Sequence, residues 1–176
     1  MLLDTLFEDS VGLIKKWRPK SGCSKETEYR NDLLEYLRDG LNSSSPFTIG
    51  NVRRVSVVPE HGRGLCDIGV DRKVGIELKN NLSGKSKVDR LIGQVNGYKR
   101  EYEDIVIVLV GETDKNALEY LKDQLDSMSS AANFVFTESR IKIIDKGKKA
   151  KSRKAPQKTK STSKSVKKKH KKTKKK

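Results

Sequence analysis

The sequence predicts an α/β fold in which helices flank a mixed β-sheet on both faces. Segments with helical periodicity alternate along the chain with short segments that have strand patterning. One of these, Ile105–Val110, is apolar without interruption, which is typical of a central strand buried on both faces. Another, Leu65–Lys79, alternates apolar and polar residues and predicts two short strands joined by a tight polar turn.

Four segments have the spacing of amphipathic helices, with apolar residues three or four positions apart. They cover about residues 2–17, 25–40, 87–102 and 115–127. Most amphipathic helices pack their apolar stripe on a domain core, so we expect the first helix to lie on the domain rather than on a membrane surface.

Strands are predicted where β-branched and other apolar residues alternate or run together. The predicted strands are Val52–Val58, the two within Leu65–Lys79, Ile105–Val110, Phe134–Phe136 and Ile141–Ile144. We expect Pro59–Gly64 to be a glycine-rich loop that leads into the hairpin. His61 in this loop is interpreted as a solvent-exposed side chain, with a metal ligand or base as the alternative.

The positive charge of the chain is concentrated at its carboxyl end. The 176 residues carry a net charge of +16. From Lys146 onward there are 17 Lys or Arg and no Asp or Glu, so residues 1–145 hold 22 basic against 23 acidic residues. We therefore expect one near-neutral globular domain over residues 1–145 and a disordered lysine-rich tail over 146–176.

A lysine-rich tail favours nucleic acid as a partner, because lysines neutralise phosphates and release counterions without reading sequence. The alternatives are a nuclear-localisation signal, chiefly Lys167–Lys176, or a solubilising tail. Cys23 and Cys66 form neither a metal-ligand pattern nor a disulfide framework, which favours an intracellular setting. That setting would be the cytoplasm near the nucleoid in a prokaryote or virus, and the nucleus in a eukaryote.

No membrane partner is expected from the sequence. No apolar run approaches the length of about 18 residues needed for a membrane span. Acidic residues interrupt the apolar N-terminus and no basic segment precedes it, so a signal peptide is not expected either.

The hairpin segment Leu65–Lys79 carries an acidic pair. If its turn has three residues centred on Arg72, then Asp67 and Glu77 lie opposite each other on one face. Directly opposed carboxylates, with Cβ atoms about 4.5–5.5 Å apart, repel each other, and a divalent cation would remove the repulsion. Lys79 points to the same face as Glu77. The segment therefore predicts a metal site with an attached lysine, whereas a regular even-length turn would place the two acids on opposite faces.

The plainer interpretation of the same residues is structural. Asp67 and Glu77 would then be exposed residues of an edge hairpin, and Lys79 would form an ion pair with Glu77.

Nine residues separate Asp67 from Glu77, and one residue separates Glu77 from Lys79. This spacing resembles the motif of the PD-(D/E)XK nuclease superfamily, which has the restriction-endonuclease-like fold. The order of a helix bearing a glutamate, strands carrying the motif, a helix and a strand is similar as well. Cys66 stands where the motif name implies proline, a position that supplies no ligand. The resemblance covers about residues 24–112.

Two further features resemble branches of this superfamily. Gln94 and Tyr98, four positions apart, are similar to the Gln-x-x-x-Tyr element of RecB-type nucleases. Glu28 is similar to the helix glutamate shared with archaeal Holliday-junction resolvases, and Glu26, two positions away, is the alternative for that role. Many junction-cleaving relatives are dimers, so the resemblance leaves a homodimer open.

The resemblance implies a Mg²⁺-dependent deoxyribonuclease, with endonuclease action and with Mn²⁺ as a substitute metal. Asp67, Glu77 and the backbone carbonyl of Leu78 would hold the metal, with Glu28 binding it directly or through water. Lys79 would orient the attacking water and stabilise developing negative charge.

The resemblance also implies that Gln94 and Tyr98 reach the substrate backbone or brace the site. The competing hypothesis is an inactive nucleic-acid-binding module of the same fold, whose binding would depend on salt and on residues 146–176. A purely structural basic protein, resembling a chromatin component, would not account for the α/β body.

Overall fold

The structure, a computed structural model, describes residues 4–43, 54–61, 66–131 and 140–149. The helices within these ranges are α1 (Asp4–Lys16), α2 (Glu26–Asn42), α3 (Lys85–Tyr98) and α4 (Lys115–Ala131). The strands are β1 (Val57–His61), β2 (Cys66–Val70), β3 (Val74–Asn80), β4 (Asp104–Val110), β5 (Glu112–Thr113), β6 (Arg140–Asp145) and β7 (Lys148–Lys149).

Five strands form one mixed sheet in the order β1-β2-β3-β4-β6. The pairs β1–β2 and β2–β3 are antiparallel, and the pairs β3–β4 and β4–β6 are parallel. The strands β5 and β7 form a separate parallel pair. The predicted α/β class, with a mixed sheet flanked by helices, is confirmed.

Strand β4 lies inside the sheet and all of its residues are buried. Its side chains alternate between two hydrophobic clusters, one on each face of the sheet. Val106, Val108 and Val110 pack in the cluster that contains α1 and α2, and Ile105, Ile107 and Leu109 pack in the cluster that contains α3. The second cluster also holds the apolar face of α4. Burying one such side chain contributes about 1.5–3 kcal/mol, so these clusters hold the helices on the sheet.

A buried carboxylate fixes α2 against the end of α1. The Trp17 indole N–H donates to Asp32 Oδ2 at 3.0 Å, and the Lys20 backbone N–H donates to the same oxygen at 3.0 Å. Asp32 is thereby supplied with hydrogen bonds inside the domain, which a buried carboxylate requires. The first turn of α2 is held near the carboxyl end of β3 by Glu26, which accepts a hydrogen bond from the Asn80 backbone N–H.

The β2–β3 hairpin has the register that the sequence predicts. Its turn comprises residues 71–73, Val70 pairs with Val74, and Gly69 pairs with Gly75. The Lys73 N–H donates to the Val70 carbonyl at 2.9 Å. Asp71 and Arg72, the two residues inside that bond, have φ of 51° and 56°, which a type I′ turn requires. Ile68 pairs with Ile76, so the position after that pair places Asp67 opposite Glu77.

Several predicted boundaries are wrong. The first strand covers Val57–His61 instead of Val52–Val58, so the predicted loop at Pro59 begins inside a strand. Pro59 is tolerated there because β1 is an edge strand that pairs only with β2. The third helix ends at Tyr98, although Tyr102 beyond it is still buried. The predicted strand Phe134–Phe136 lies outside the described residues.

The ordered chain also continues past the predicted start of the tail. The Lys146 N–H donates to the Leu109 carbonyl at 2.8 Å, and β7 pairs with β5 beyond it. These backbone bonds order residues 146–149 in spite of their basic composition. The rest of the predicted tail, residues 150–176, lies outside the described residues.

We expect Gly75→Ala to lower the free energy of unfolding by about 1–3 kcal/mol, because overpacking a filled core forces its neighbours to move. A Cβ atom at this position would lie 2.9 Å from the ring of Tyr102, which is itself buried. Gly93→Ala is the matched control, because nothing lies within 4 Å of its added Cβ. It should raise the free energy of unfolding by about 0.5–1 kcal/mol, as alanine suits a helix interior better. Urea denaturation of both variants measures the difference, and equal effects would contradict the packing at Gly75.

Candidate functional site

The candidate site is a cleft at the carboxyl end of β3, between the first turn of α2 and the first half of α3. Its volume is about 350 Å³. The cleft is lined by Glu26, Asp67, Glu77, Lys79, Asn80, Leu82, Lys87, Arg90 and Gln94. The motif residues Asp67, Glu77 and Lys79 thus line one cavity, and Gln94 joins them from α3.

Glu77 is the most deeply buried charged residue of the cleft, with 2% of its surface exposed. Its Oε1 lies 2.7 Å from Lys79 Nζ, and its Oε2 accepts a hydrogen bond of 2.9 Å from the Tyr98 hydroxyl. The plainer structural interpretation therefore holds only in part. The pair between Lys79 and Glu77 exists, but Glu77 lies buried on an interior strand of the sheet rather than on an exposed edge hairpin.

Asp67 is partly buried and accepts a hydrogen bond from the Leu78 backbone N–H at 2.8 Å. Burial, followed by the charge of Glu77, raises the pKa of Asp67 to about 6. The N–H and C=O of one strand residue point to the same side, so the Leu78 carbonyl also faces Asp67. The two acids and that carbonyl therefore meet at one edge of β3.

Lys79 is held between two acids, because its Nζ also lies 3.3 Å from Glu26 Oε1. Burial by itself would lower the pKa of Lys79. The charge and hydrogen bond of Glu77, together with Glu26 and Asp67, outweigh burial and raise that pKa. The ammonium is therefore charged throughout the physiological range.

The helix carboxylate of the cleft is Glu26, and the expectation for Glu28 is wrong. Glu28 is exposed and faces the start of its own helix, where it accepts hydrogen bonds from the backbone N–H groups of Ser24 at 2.7 Å and Lys25 at 3.1 Å. These bonds hold the pKa of Glu28 below its ordinary value. Glu26 instead accepts a hydrogen bond from the Asn80 backbone N–H at 3.0 Å.

The physical reason is the helix geometry of α2. Successive residues of an α-helix are about 100° apart, so two positions separated by two residues face nearly opposite directions. Only one of the two glutamates can therefore point at the sheet. Glu28 is the third helical residue, where a glutamate commonly returns to the N-cap backbone N–H.

Tyr98 and Gln94 form a chain of hydrogen bonds behind Glu77. Burial and the charge of Glu77 raise the pKa of Tyr98 well above its ordinary value, so its hydroxyl keeps the proton that it donates to Glu77. Toward Gln94 the Tyr98 oxygen can then act only as an acceptor, and it lies 3.5 Å from Gln94 Nε2. Because the Tyr98 oxygen is the acceptor, the Gln94 amide is oriented with its Nε2 toward Tyr98 and its Oε1 away from it. Its Oε1 is buried and has no hydrogen-bond partner among the described residues.

The donor set of the cleft suits a hard divalent cation. No three His, Cys, Asp or Glu side chains converge as a complete metal site in the part of the chain that the structure describes. However, Asp67 and Glu77 offer carboxylate oxygens, and burial together with the charge of Glu77 raises the pKa of Asp67, so a cation beside the two acids would favour their ionised forms. Mg²⁺ keeps several of its waters, so two carboxylates and a backbone carbonyl suffice.

Sequence reasoning missed three polar residues of the cleft. Asn80 follows Lys79 directly, and its side chain donates to the Ser24 carbonyl at 2.7 Å, which links β3 to the start of α2. Lys87 and Arg90 line the cleft from α3. Their positions, seven and four residues before Gln94 on the same helix, were the available signal.

The chain matches none of the protein-family models, curated proteins or solved structures with which it was compared. None of the helices within the described ranges is long and apolar enough to cross a bilayer.

We expect Asp67→Asn to stabilise the metal-free protein at neutral pH and to leave it unchanged at about pH 4. The pKa of Asp67 is raised in the folded state, so its favourable protonated form is lost as the pH rises through about 6. Asparagine does not ionise, so the gain in unfolding free energy should grow with pH to about 1–3 kcal/mol. Urea denaturation in EDTA between pH 4 and 8 measures it.

The control for this experiment is Asp123→Asn, which changes an exposed carboxylate on α4. Its effect on the free energy of unfolding should not grow with pH. A gain at Asp67 that is the same at every pH would contradict the repulsion between the two acids.

Proposed function

We propose that the protein is a metal-dependent nuclease of the PD-(D/E)XK superfamily, with the restriction-endonuclease-like fold, which hydrolyses phosphodiester bonds within DNA. The observation that carries the proposal is the buried Glu77 on an interior strand. A carboxylate in that position costs stability, and it shares a cleft with a second acid and a charged lysine. The pKa values of Asp67 and Lys79 are both raised, and such a concentration of perturbed groups in one cleft is typical of a catalytic site.

Asp67, Glu77 and the Leu78 carbonyl would hold Mg²⁺ or Mn²⁺. When bound, the metal would supply a water of lowered pKa and a positive charge for the phosphoryl oxygens. The protein contributes the fixed placement of these donors. Glu77 is held by Tyr98 and Asp67 by the Leu78 N–H, so neither acid has to be ordered when the substrate arrives.

Lys79 supplies a permanent positive charge beside the acids. Its raised pKa keeps the proton on Nζ, so it donates hydrogen bonds to the attacking water and to the developing phosphorane oxygens instead of acting as a base. Glu26 holds the ammonium from the opposite side, which keeps it in the cleft when Glu77 is engaged elsewhere. Glu26 is thus a positioning residue in this proposal.

The lysine-rich segment would bind the same polymer. Its charges would attract DNA without sequence preference and raise its local concentration around the cleft. An intracellular compartment that contains DNA would accompany this function, as would a homodimer for a branched substrate.

We expect Lys79→Ala and Glu77→Gln each to lower the rate of DNA cleavage by at least about 100-fold, because each removes a charge at the reacting phosphate. The measurement is a panel of linear, nicked, branched and single-stranded DNA, with Mg²⁺, Mn²⁺ or EDTA. The control variants are Lys115→Ala and Glu119→Gln, an exposed ion pair on α4 with Nζ and Oε1 3.7 Å apart.

The control variants should cleave at the wild-type rate. Cleavage by the wild type that persists in EDTA, or that persists in both cleft variants when they are folded, would overturn the proposal.

Substitution of the two glutamates of α2 should affect the cleavage rate and the melting temperature differently. We expect Glu26→Gln to lower cleavage about 10–100-fold with little change in melting temperature, as is usual for residues that orient a catalytic group. Glu28→Gln should lower the melting temperature, because it weakens the acceptor at the start of α2, while cleavage by the folded protein remains unchanged. Thermal melts and initial rates of both variants test this, and the reverse pattern would restore Glu28 as the site residue.

A second candidate function is a nucleic-acid-binding module without activity. The contact of 2.7 Å between Lys79 and Glu77 favours it, because that ion pair already neutralises the acid on which a metal would depend. Calorimetric titration with Mg²⁺ separates the two candidates. Metal binding that Glu77→Gln abolishes supports the nuclease, whereas salt-dependent DNA binding without any metal binding supports the inactive module.

A further inference from the structure

Two cations on the α3 wall of the cleft are not used by the reaction described above. Lys87 and Arg90 are both exposed residues that line the cleft. Within the described residues, Lys87 contacts only the Asn81 carbonyl, at 3.2 Å, and Arg90 has no ion-pair partner. The neighbouring acid Asp89 accepts a hydrogen bond from Tyr120 at 3.0 Å and forms no ion pair with Arg90 among the described residues.

With one divalent cation bound, the charges of the cleft would leave these two cations in excess. Its acids are Glu26, Asp67 and Glu77, and Lys79 together with one divalent cation would balance them. The positive charges of Lys87 and Arg90 then exceed what the acids require. One phosphodiester at the metal carries a single negative charge, so a positive charge remains for a second anionic group.

The cleft is also larger than a hydrated divalent cation. A divalent cation with six waters occupies roughly 180 Å³, at about 30 Å³ per water. The cleft has about 350 Å³. The remaining space lies within a cavity whose outer wall carries the two unused cations.

The positions along α3 separate those cations from the reacting centre. Arg90, Gln94 and Tyr98 follow one another at intervals of four residues, so they lie on one side of the helix. Tyr98 contacts Glu77, and Arg90 lies two turns away, about 12 Å along the helix axis. This two-turn separation on α3 favours contact of Arg90 with a different phosphate from the one at Glu77.

We propose that Lys87 and Arg90 form a second subsite, which binds a phosphodiester one to three nucleotides from the cleaved bond on the same strand. This inference rests on the proposed function, because it takes the position of the cleaved phosphate from Asp67 and Glu77. The subsite makes Arg90 a substrate-positioning residue. Its guanidinium presents the paired N–H groups that bind phosphate oxygens.

The test pairs Arg90→Ala with DNA that lacks one phosphate charge at a time. A set of otherwise identical oligonucleotides carries a single neutral methylphosphonate at each of the three positions on either side of the cleaved bond. Single-turnover cleavage by the full-length protein is measured for each. We expect Arg90→Ala to lower the rate about tenfold on unmodified DNA, because it removes one charge-assisted phosphate contact.

One methylphosphonate position should lower the wild-type rate by a similar factor and have no further effect on Arg90→Ala. That lack of additivity identifies the phosphate that Arg90 binds. Equal sensitivity of the wild type and Arg90→Ala at all positions would overturn the subsite. Arg100→Ala is the matched control, because Arg100 is exposed beyond the end of α3 and does not line the cleft, so its rates should equal those of the wild type.

The same oligonucleotides distinguish failure of the subsite from failure of the nuclease proposal. Equilibrium binding in EDTA, measured by fluorescence anisotropy, needs no cleavage. Arg90→Ala should reduce the slope of log affinity against log salt by about 1, and the methylphosphonate at the assigned position should have no further effect. Coupling in binding without any cleavage would retain the subsite and reject the nuclease. Cleavage without that coupling would retain the nuclease proposal and reject the subsite.

Discussion

The site depends on the burial of Glu77 in the middle of the sheet. Removing a carboxylate from water costs several kcal/mol unless hydrogen bonds and opposite charge offset the cost. Lys79 and Tyr98 provide both, one from the same strand and one from α3. The contact with Tyr98 and the buried stripe of Val88, Leu91 and Val95 together orient α3 on the sheet, and Gln94 and Arg90 line the cleft. One buried charge thereby organises the strand, the helix and the wall of the cavity.

The hairpin turn is the second constraint, because it decides which face Asp67 occupies. Asp71 and Arg72 both adopt left-handed backbone conformations, which cost roughly 1–2 kcal/mol for each residue that is not glycine. The sheet register that this turn permits places the two acids together. A two-residue turn at 71–72, with Lys73 paired to Val70, would shift the register by one residue, and Asp67 and Glu77 would then lie on opposite faces of the sheet.

The hairpin, its register and the association of Asp67, Glu77 and Lys79 could be predicted because period-2 alternation is a local property of the sequence. The choice between Glu26 and Glu28 could not, because it depends on which residue begins α2, and helix ends are uncertain by one or two positions. The sequence signal that Glu28 faces the start of its own helix was its position three residues after Lys25. At that position a glutamate side chain accepts a hydrogen bond from the N-cap backbone N–H. Lys87 and Arg90 were missed because exposed cations on a helix are ordinary until the opposite wall is known to be acidic.

The charge balance of the cleft connects these features. Glu26, Asp67 and Glu77 surround a single ammonium, so Lys79 alone leaves the acids undercompensated. Burial, followed by the charge of Glu77, raises the pKa of Asp67, and that acid has the Leu78 N–H but no ion pair among the described residues. A protein selected only for stability would remove one of these acids or protonate it. The presence of all three acids beside the cations Lys87 and Arg90 of α3 is explained when a divalent cation neutralises the acids and an anionic polymer lies along the helix.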